Sequence, residues 1–286
     1  MAVEPCSMLG VSVTRTSAPN HPPSARPLSG RTVAVTRAAD QAGPLVARLE
    51  ALGAEVLEVP LIVIADPVDG GAALRAAVDT LGEYAWVVLT SPNAARRFLD
   101  AATQYVGPWP KLAAVGPGTA QVVLDRGRTV DLVPKRVIGE GLVEAFPEPP
   151  PAPSSPPAPS APSAPSSVRS RVLFPRSEVA RAVVADGLAQ KGWTVDVVDA
   201  YRTVPVVVTA AHVQALLRAD LVVLTSSSTA TVTASALAGA RPRRIVSMGL
   251  ATTLTAENLG LVVAATAEPS TIEGLLDVCV SAAFVN

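Results

Sequence analysis

Short runs of β-branched and aliphatic residues alternate with helix-length amphipathic segments along most of this 286-residue chain. Runs of three to five such residues bounded by turn-forming residues are typical of buried strands. Parallel strands need a crossover of helix length between them, so the alternation predicts an α/β protein with parallel sheets. The predicted strands are 33–36, 56–59, 86–90, 112–115, 130–133, 172–174, 195–198, 221–225, 245–248 and 261–264.

Residues that begin and end helices stand where this pattern requires them. Gly53 occupies a position where a helix needs a left-handed residue after its last turn. Ser91 followed by Pro92 is expected to cap a helix and open its first turn. Ser270, three residues before Glu273, predicts a capping box at the start of the last helix.

The two halves of the chain repeat each other. Arg37 and Gly53 are sixteen residues apart, as are Arg176 and Gly192. A duplicated α/β unit is expected to form two similar lobes with a cleft between them, and ligands of open α/β sheets bind beyond the carboxyl ends of the strands. A second series recurs at one constant offset: Gly116, Thr119, Gly127 and residues 140–142 in one half, and Gly249, Thr252, Gly260 and residues 273–275 in the other.

The composition of the chain limits the kinds of molecule that it is expected to bind. Hydrophobic residues make up 49% of the chain but aromatic residues only 3%, so Ala, Val and Leu must build the cores. With 23 basic and 24 acidic residues and no block of like charge, the chain lacks the footprint of a nucleic-acid or membrane-binding protein. We therefore expect a small-molecule partner, no nucleic acid and no membrane.

The two cysteines and the N-terminal residues indicate the cellular compartment of the protein. Cys6 and Cys279 support neither a disulfide framework nor a metal site, which favours a reducing, cytoplasmic compartment. Residues 1–29 lack the apolar core of a signal peptide and are expected to form a disordered tail.

Residues 147–167 consist almost wholly of Pro, Ala and Ser, a composition that predicts a disordered insert.

The loops that follow the predicted strands are rich in hydroxyl groups, and most of them open a helix. Helix N-termini with Ser and Thr donors bind carboxylates and phosphates, so these loops predict a site for a polyanionic ligand. For any single loop the simpler interpretation is an N-cap; six such loops around one cleft favour binding. The candidate binding residues are Thr36, Arg37, Thr90, Ser91, Asn93, Gly116, Thr119, Arg176, Ser177, Thr225, Ser226, Ser227, Gly249 and Thr252.

Arg37 and Arg176 each follow the first strand of their half. A guanidinium in this position pairs with a ligand carboxylate in bidentate fashion or with a nearby Asp or Glu of the protein, and the sequence leaves both alternatives open.

Familiar catalytic motifs are missing from the sequence. Gly116 and Gly118 lack the third glycine of a dinucleotide fingerprint, because Gln121 stands there, and no phosphate-binding Gly-Lys-Ser/Thr occurs. His21 lies in the tail and His212 in an expected surface helix, so a Ser/His/Asp triad or a histidine metal site has too few residues. We expect no nucleotide, metal or other cofactor.

Tyr201 breaks the internal symmetry, because residues 200–205 stand where the other half has 61–63. A phenol near the cleft is able to donate a proton to a leaving hydroxyl, whereas a tyrosine that anchors an interlobe linker is the commoner situation.

Six segments of the chain form a recognisable ordered set: 33–37, 52–56, 87–94, 114–117, 200–203 and 271–275. In order and spacing these segments resemble the uroporphyrinogen-III synthase family. The resemblance runs from about Gly30 to the C-terminus, the Pro-rich insert excepted. Leu250-Ala251, where the family often has Pro-Thr, and Gly118, where a larger residue is common, depart from the pattern.

The resemblance implies two similar flavodoxin-like lobes with parallel sheets flanked by helices, joined by a two-stranded linker. Residues 30–60 would pack with 207–286 in one lobe, and 64–200 would form the other. The linker strands would be 61–63 and 201–206. The Pro-rich insert then becomes a loop within the second lobe.

The resemblance also implies a function. The family cyclises hydroxymethylbilane, an open tetrapyrrole with eight carboxylates, inverting ring D with loss of water to give uroporphyrinogen III for heme, siroheme and cobalamin biosynthesis. Tyr201 matches the family's tyrosine proposed to assist loss of the hydroxyl, and Thr119 and Thr252 match threonines near the substrate. A monomer that receives its substrate from the preceding bilane-forming enzyme is expected. The alternatives are a non-catalytic tetrapyrrole-binding regulator of the same fold and a two-lobed protein that binds a small anion.

Overall fold

The computed structural model describes residues 26–151, 170–179 and 182–284. The predicted disordered tail, apart from residues 26–29, and most of the Pro-rich insert lie outside the described residues. The strands are β1 (Thr32–Val35), β2 (Glu55–Glu58), β3 (Ile62–Ala65), β4 (Trp86–Leu89), β5 (Lys111–Ala114), β6 (Arg171–Ser177), β7 (Thr194–Pro205), β8 (Leu221–Leu224), β9 (Ile245–Ser247) and β10 (Ala265–Thr266). The α-helices are α1 (Ala39–Ala51), α2 (Ala72–Asp79), α3 (Pro92–Ala101), α4 (Pro117–Asp125), α5 (Gly139–Ala145), α6 (Val183–Gln190), α7 (Ala210–Arg218), α8 (Ser227–Leu237), α9 (Leu250–Asn258) and α10 (Ile272–Ala283).

The strands form two five-stranded sheets, which confirms the predicted fold class. The first sheet has the order β2-β1-β8-β9-β10 and all its strands are parallel. Counted within that sheet, this is the flavodoxin-like order 2-1-3-4-5. The second sheet has the order β3-β7-β6-β4-β5 and is parallel except for β3. The sequence repeat matches β1, β2, β8 and β9 with β6, β7, β4 and β5, and these four strands have the same spatial order in both sheets.

The chain passes between the sheets twice, through β3 and the end of β7. These strands pair antiparallel, with Ile62 opposite Pro205 and Val63 opposite Val204. The Leu61 amide donates to the Thr36 carbonyl across 3.2 Å, which ties the start of this ladder to the first sheet. The predicted two-stranded linker is therefore present.

Each sheet is buried on both faces, as its nearly continuous apolar strands require. In β1, Val33 and Val35 pack with residues of α1 and α10, whereas Ala34 belongs to a separate cluster with residues of α7, α8 and α9. In β4, Val87 packs with α2 and α3, and Val88 packs with α5 and α6. Helices therefore cover both faces and leave the ends of the strands as the polar edges.

Two predicted strands are shorter or displaced. The run 130–133 makes a single bridge, from Leu132 to Ala113, and Pro134 lacks the amide that a longer ladder needs. The run 261–264 precedes the observed β10, because the Leu261 amide donates to the Ala256 carbonyl to close the end of α9.

The predicted helix ends are mostly confirmed. Gly53 has a φ of +95°, and the Ser91 side chain accepts the Ala94 amide ahead of Pro92. The predicted capping box at Ser270 is wrong, because Thr271 caps α10 by accepting the Gly274 amide.

Candidate functional site

The candidate residues of each sheet collect at one edge, because the carboxyl ends of parallel strands lie side by side. In the first sheet this edge is formed by the ends of β1, β8 and β9, and in the second by the ends of β4, β5 and β6. Helices α3, α4, α8 and α9 begin in these strand-end loops, each three residues after the last residue of the preceding strand. Backbone N–H groups therefore point out of both edges, as the sequence predicted.

Tyr201 reaches the strand-end loop of β4. Its hydroxyl lies 3.1 Å from Ser91 Oγ, and the residue is only 7% exposed. The β6–β7 register shifts between Arg176 and Ser177, so that Ser177 pairs with Tyr201 rather than with Ala200. Such a bulge turns the following side chain toward a new direction. The ring packs with the core of the second sheet, which fixes the phenol at the edge.

Arg176 pairs within its own sheet. Its Nε lies 3.7 Å from Asp199 Oδ1, and the two residues are direct cross-strand partners on β6 and β7. Of the two alternatives that the sequence left open, an ion pair with a protein carboxylate is present for Arg176.

Arg37 has a different environment. Among the residues that the structure describes, no carboxylate lies within ion-pair distance and no hydrogen bond to its side chain is present. Burial lowers the pKa of the Arg37 guanidinium, the positive charge of Arg96 lowers it further, and Asp40 acts in the opposite direction. The folded protein therefore holds this charge at a cost relative to water.

A polar contact joins the two lobes beside Arg37. Gln41, on α1 of the first lobe, donates from Nε2 to Asn93 Oδ1 across 2.9 Å, and Asn93 opens α3 of the second lobe. Arg96 Nη1 donates to the same oxygen across 3.1 Å. Sequence reasoning identified Arg37 and Asn93 but missed Gln41 and Arg96. For Arg96 its spacing of three residues from Asn93 was an available signal, because residues so spaced on one helix share a face. Arg37 precedes α1, so the sequence carried no such signal for Gln41.

Thr119 and Thr252 occupy equivalent positions, the third residue of α4 and of α9. Both residues are buried, and within the described part of the chain neither hydroxyl makes a hydrogen bond. Each helix is preceded by a glycine, Gly116 or Gly249, where an added Cβ would overlap the side chain of Val137 or Ser270. The backbone at both glycines is extended, so the requirement is for space and not for a left-handed conformation.

Other candidate hydroxyls are used by the scaffold. Thr36 is buried and donates to the Val223 carbonyl across 2.8 Å, between β1 and β8. Ser226 caps α8 in a reciprocal pair with Thr229. Ser227 donates to the Ala251 carbonyl across 3.2 Å and so ties α8 to α9. The remaining candidates, Thr90, Ser177 and Thr225, are partly exposed at their strand ends.

The surroundings of His212 and Cys279 argue against a catalytic role for either side chain. His212 Nδ1 accepts the Thr209 amide in the capping box of α7, so this side chain has a structural role. Burial raises the pKa of the Cys279 thiol to about 12, which removes it as a nucleophile at neutral pH. Within residues 26–151, 170–179 and 182–284, no group of His, Cys, Asp or Glu side chains has a geometry suited to a metal ion, and no helix has the length and apolarity to cross a membrane.

The fold and the site define a class: two-lobed, flavodoxin-like α/β proteins whose strand-end loops carry hydroxyls, helix N-termini and guanidinium groups. The family model described as "Uroporphyrinogen-III synthase HemD" matches residues 43–277. This chain belongs to the uroporphyrinogen-III synthase family.

Curated relatives agree with this assignment. The chain is 32% identical over 183 residues to the uroporphyrinogen-III synthase of Synechococcus elongatus, an overlap that covers 62% of each protein. It is 27% identical over 180 residues to the chloroplastic uroporphyrinogen-III synthase of Oryza sativa subsp. japonica, covering 61% of this chain and 54% of that protein. The chain thus spans between 54% and 62% of the length of these relatives.

Solved structures share the fold. A mutant uroporphyrinogen III synthase from the extremely thermophilic bacterium Thermus thermophilus superposes with a TM-score of 0.59 at 16% identity, covering 88% of this chain and 98% of that one. The synthase from Helicobacter pylori 26695 superposes with a TM-score of 0.50 at 15% identity, covering 88% and 99%.

Proposed function

We propose that this protein catalyses the uroporphyrinogen-III synthase reaction, in which hydroxymethylbilane loses water and closes to uroporphyrinogen III with ring D inverted. The observation that carries the proposal is the placement of Tyr201. In a member of this family, the residue that matches the family's tyrosine has its phenol 3.1 Å from Ser91 Oγ, at the strand-end edge.

In the proposed mechanism Tyr201 donates a proton or hydrogen bond to the hydroxyl of hydroxymethylbilane as the C–O bond breaks. The adjacent pyrrole nitrogen supplies the electron pair that expels the hydroxyl, which leaves as water, and an electrophilic azafulvene remains. The substituted carbon of ring D then attacks to give a spiro intermediate, and fragmentation followed by reclosure inverts the ring. Ser91, which also accepts the Ala94 amide, keeps the phenol oriented toward the edge.

The main task of the protein in this proposal is positioning. Closure without the enzyme gives the symmetric isomer, so the enzyme must hold the chain in the less accessible geometry. Carboxylates of the substrate would meet the helix N-termini of α4 and α9 and the unused hydroxyls of Thr119 and Thr252. These donors lie at the edges of both sheets, which suits a ligand with charges spread around a large framework.

The remaining expectations complete the proposal. The lobes would comprise residues 30–60 with 207–286 and residues 64–200. The protein would act as a cytoplasmic monomer without a cofactor and receive its substrate from the bilane-forming enzyme.

The test is analysis of the product isomers. Purified protein is supplied with hydroxymethylbilane, the products are oxidised to porphyrins, and the isomers are separated and compared with a reaction without enzyme. We expect the inverted isomer in excess of that background. Wild-type protein that yields only the symmetric isomer would contradict the proposed activity.

A further inference from the structure

The arginine pair formed by Arg37 and Arg96 stands apart from the other arginines of the site. Arg97, the next residue on α3, pairs with Asp66, and Arg176 pairs with Asp199. Arg37 and Arg96 have no such carboxylate within 4 Å in the described part of the chain. Each is partly buried, and each comes from a different lobe.

The two positive charges do not stabilise the fold. Two like charges in a partly buried site repel each other, and the lowered pKa of Arg37 reflects both the burial and the charge of Arg96. Asp40 is the acidic neighbour that offsets part of this repulsion, without reaching ion-pair distance of Arg37. An arrangement of this kind suits a site that is completed by an anion.

The surrounding hydrogen bonds hold Arg96 in place at the contact between the two lobes. Asn93 Oδ1 accepts from Gln41 on α1 and from Arg96 on α3, so one amide oxygen fixes the two helices at the contact. A guanidinium has five N–H donors, and Arg96 spends one of them on Asn93. The other donors, with all those of Arg37, remain for a ligand.

We propose that Arg37 and Arg96 together bind one carboxylate of the ligand, and that this shared carboxylate holds the two lobes together at the α1–α3 contact. The identification of the ligand as a bilane rests on the proposed function, whereas the carboxylate chemistry rests on the two guanidinium groups. A carboxylate has two oxygens, so each arginine is able to donate charge-assisted hydrogen bonds to the same group. Arg96 is thus assigned a binding role.

The test measures binding of uroporphyrin, the oxidised macrocycle that keeps the carboxylates, by quenching of its fluorescence, so that no turnover is needed. Arg96→Gln is expected to weaken binding by about 10- to 100-fold, the range for charge-assisted hydrogen bonds to a buried carboxylate. Arg97→Gln, on the same helix but paired with Asp66, is the matched control and is expected to stay within about twofold of wild type.

Two further measurements separate a binding role from a structural one. Arg96→Gln relieves the repulsion on Arg37, so its melting temperature is expected to equal or exceed that of wild type. The Arg37→Gln, Arg96→Gln double variant is expected to lose less binding than the two single losses combined, because both residues share one carboxylate.

Three results would overturn the proposal: uroporphyrin binding by Arg96→Gln within twofold of wild type, additive losses in the double variant, or no binding by wild type. A failed isomer assay with intact, Arg96-dependent uroporphyrin binding would instead refute the proposed activity and leave the carboxylate site standing.

Discussion

The two lobes are built on one scaffold but present different chemistry at their strand-end edges. Gly141 and Gly274 are the third residues of α5 and α10, and at each an added Cβ would overlap a backbone carbonyl, that of Arg136 or Pro269. Thr119 and Thr252 stand at the same turn of equivalent helices. Steric demands of the duplicated fold have therefore kept these positions alike.

The differences lie in the side chains that reach the edges. Ser91 caps α3 and contacts the Tyr201 phenol, whereas its counterpart Ser226 is engaged with Thr229 inside its own capping box. Arg176 is paired with a carboxylate of its own sheet, whereas Arg37 faces an arginine of the other lobe. The two lobes thus share one strand arrangement and differ in the side chains that their loops place at the edges.

The largest expected effect is on catalysis, where Tyr201 has no counterpart in the other half. Tyr201→Phe should lower kcat by about 10²-fold, at the low end for a positioned acid, because the pyrrole nitrogen already activates the leaving hydroxyl. The inverted isomer should still dominate the enzyme-made product, since the loops hold the chain. Steady-state kinetics with isomer separation checks this. Tyr105→Phe is the control, because that hydroxyl is spent on the Pro108 carbonyl; unchanged kcat in Tyr201→Phe would remove the acid role.

The shared scaffold is tested by the matched variants Gly141→Ala and Gly274→Ala. Each places a methyl group against a backbone carbonyl oxygen, which must shift to make room, and each should cost about 1–3 kcal/mol of unfolding free energy. Gly118→Ala, with open space around it, should be neutral or stabilise by about 0.5–1 kcal/mol. Denaturant titration measures all three. A large loss at one glycine and none at the other would break the equivalence of the lobes.

Equivalent threonines should contribute comparably to binding. Thr119→Ala and Thr252→Ala each remove a hydroxyl that has no partner in the described protein, so stability should change little. Binding of hydroxymethylbilane or uroporphyrin should weaken by about 1–3 kcal/mol if each hydroxyl meets a buried carboxylate. Fluorescence titration of the two variants side by side gives the comparison. Full affinity in both would exclude these hydroxyls from the site.

The smallest expected effect separates the two N-caps. Ser91→Ala and Ser226→Ala should each cost about 1 kcal/mol of stability, the usual contribution of a capping serine. Only Ser91→Ala should also lower kcat, because it removes the partner of the Tyr201 hydroxyl. Thermal unfolding and kinetics on the same preparations decide this. Equal kcat values for the two variants would show that the Ser91–Tyr201 contact does not orient the phenol.

The sequence by itself determined the architecture of this protein. Apolar runs of strand length, helix-length spacers and the offset repeat predicted two parallel sheets, because burial on both faces and right-handed crossovers leave few other arrangements. The resemblance to the family added the prediction of the two-stranded linker. The repeat alone did not predict it, because the segment around Tyr201 breaks the internal symmetry. The predictions were least accurate at the ends of helices and strands. The strands near 132 and 265 and the cap at Thr271 depend on which of several neighbouring groups forms the hydrogen bond.

Only the tertiary structure decided which candidate side chains meet. Thr36 and Ser227 were predicted as binding residues from the sequence, yet each donates to a carbonyl of a neighbouring element. The register shift between β6 and β7, which leaves Ala200 unpaired just before Tyr201, has no local sequence signal. The electrostatic interaction of Arg96 with Arg37 joins residues of different lobes that are far apart in the sequence. Periodicity fixes which face of an element a residue occupies, whereas the contacts of that face depend on how separate elements pack.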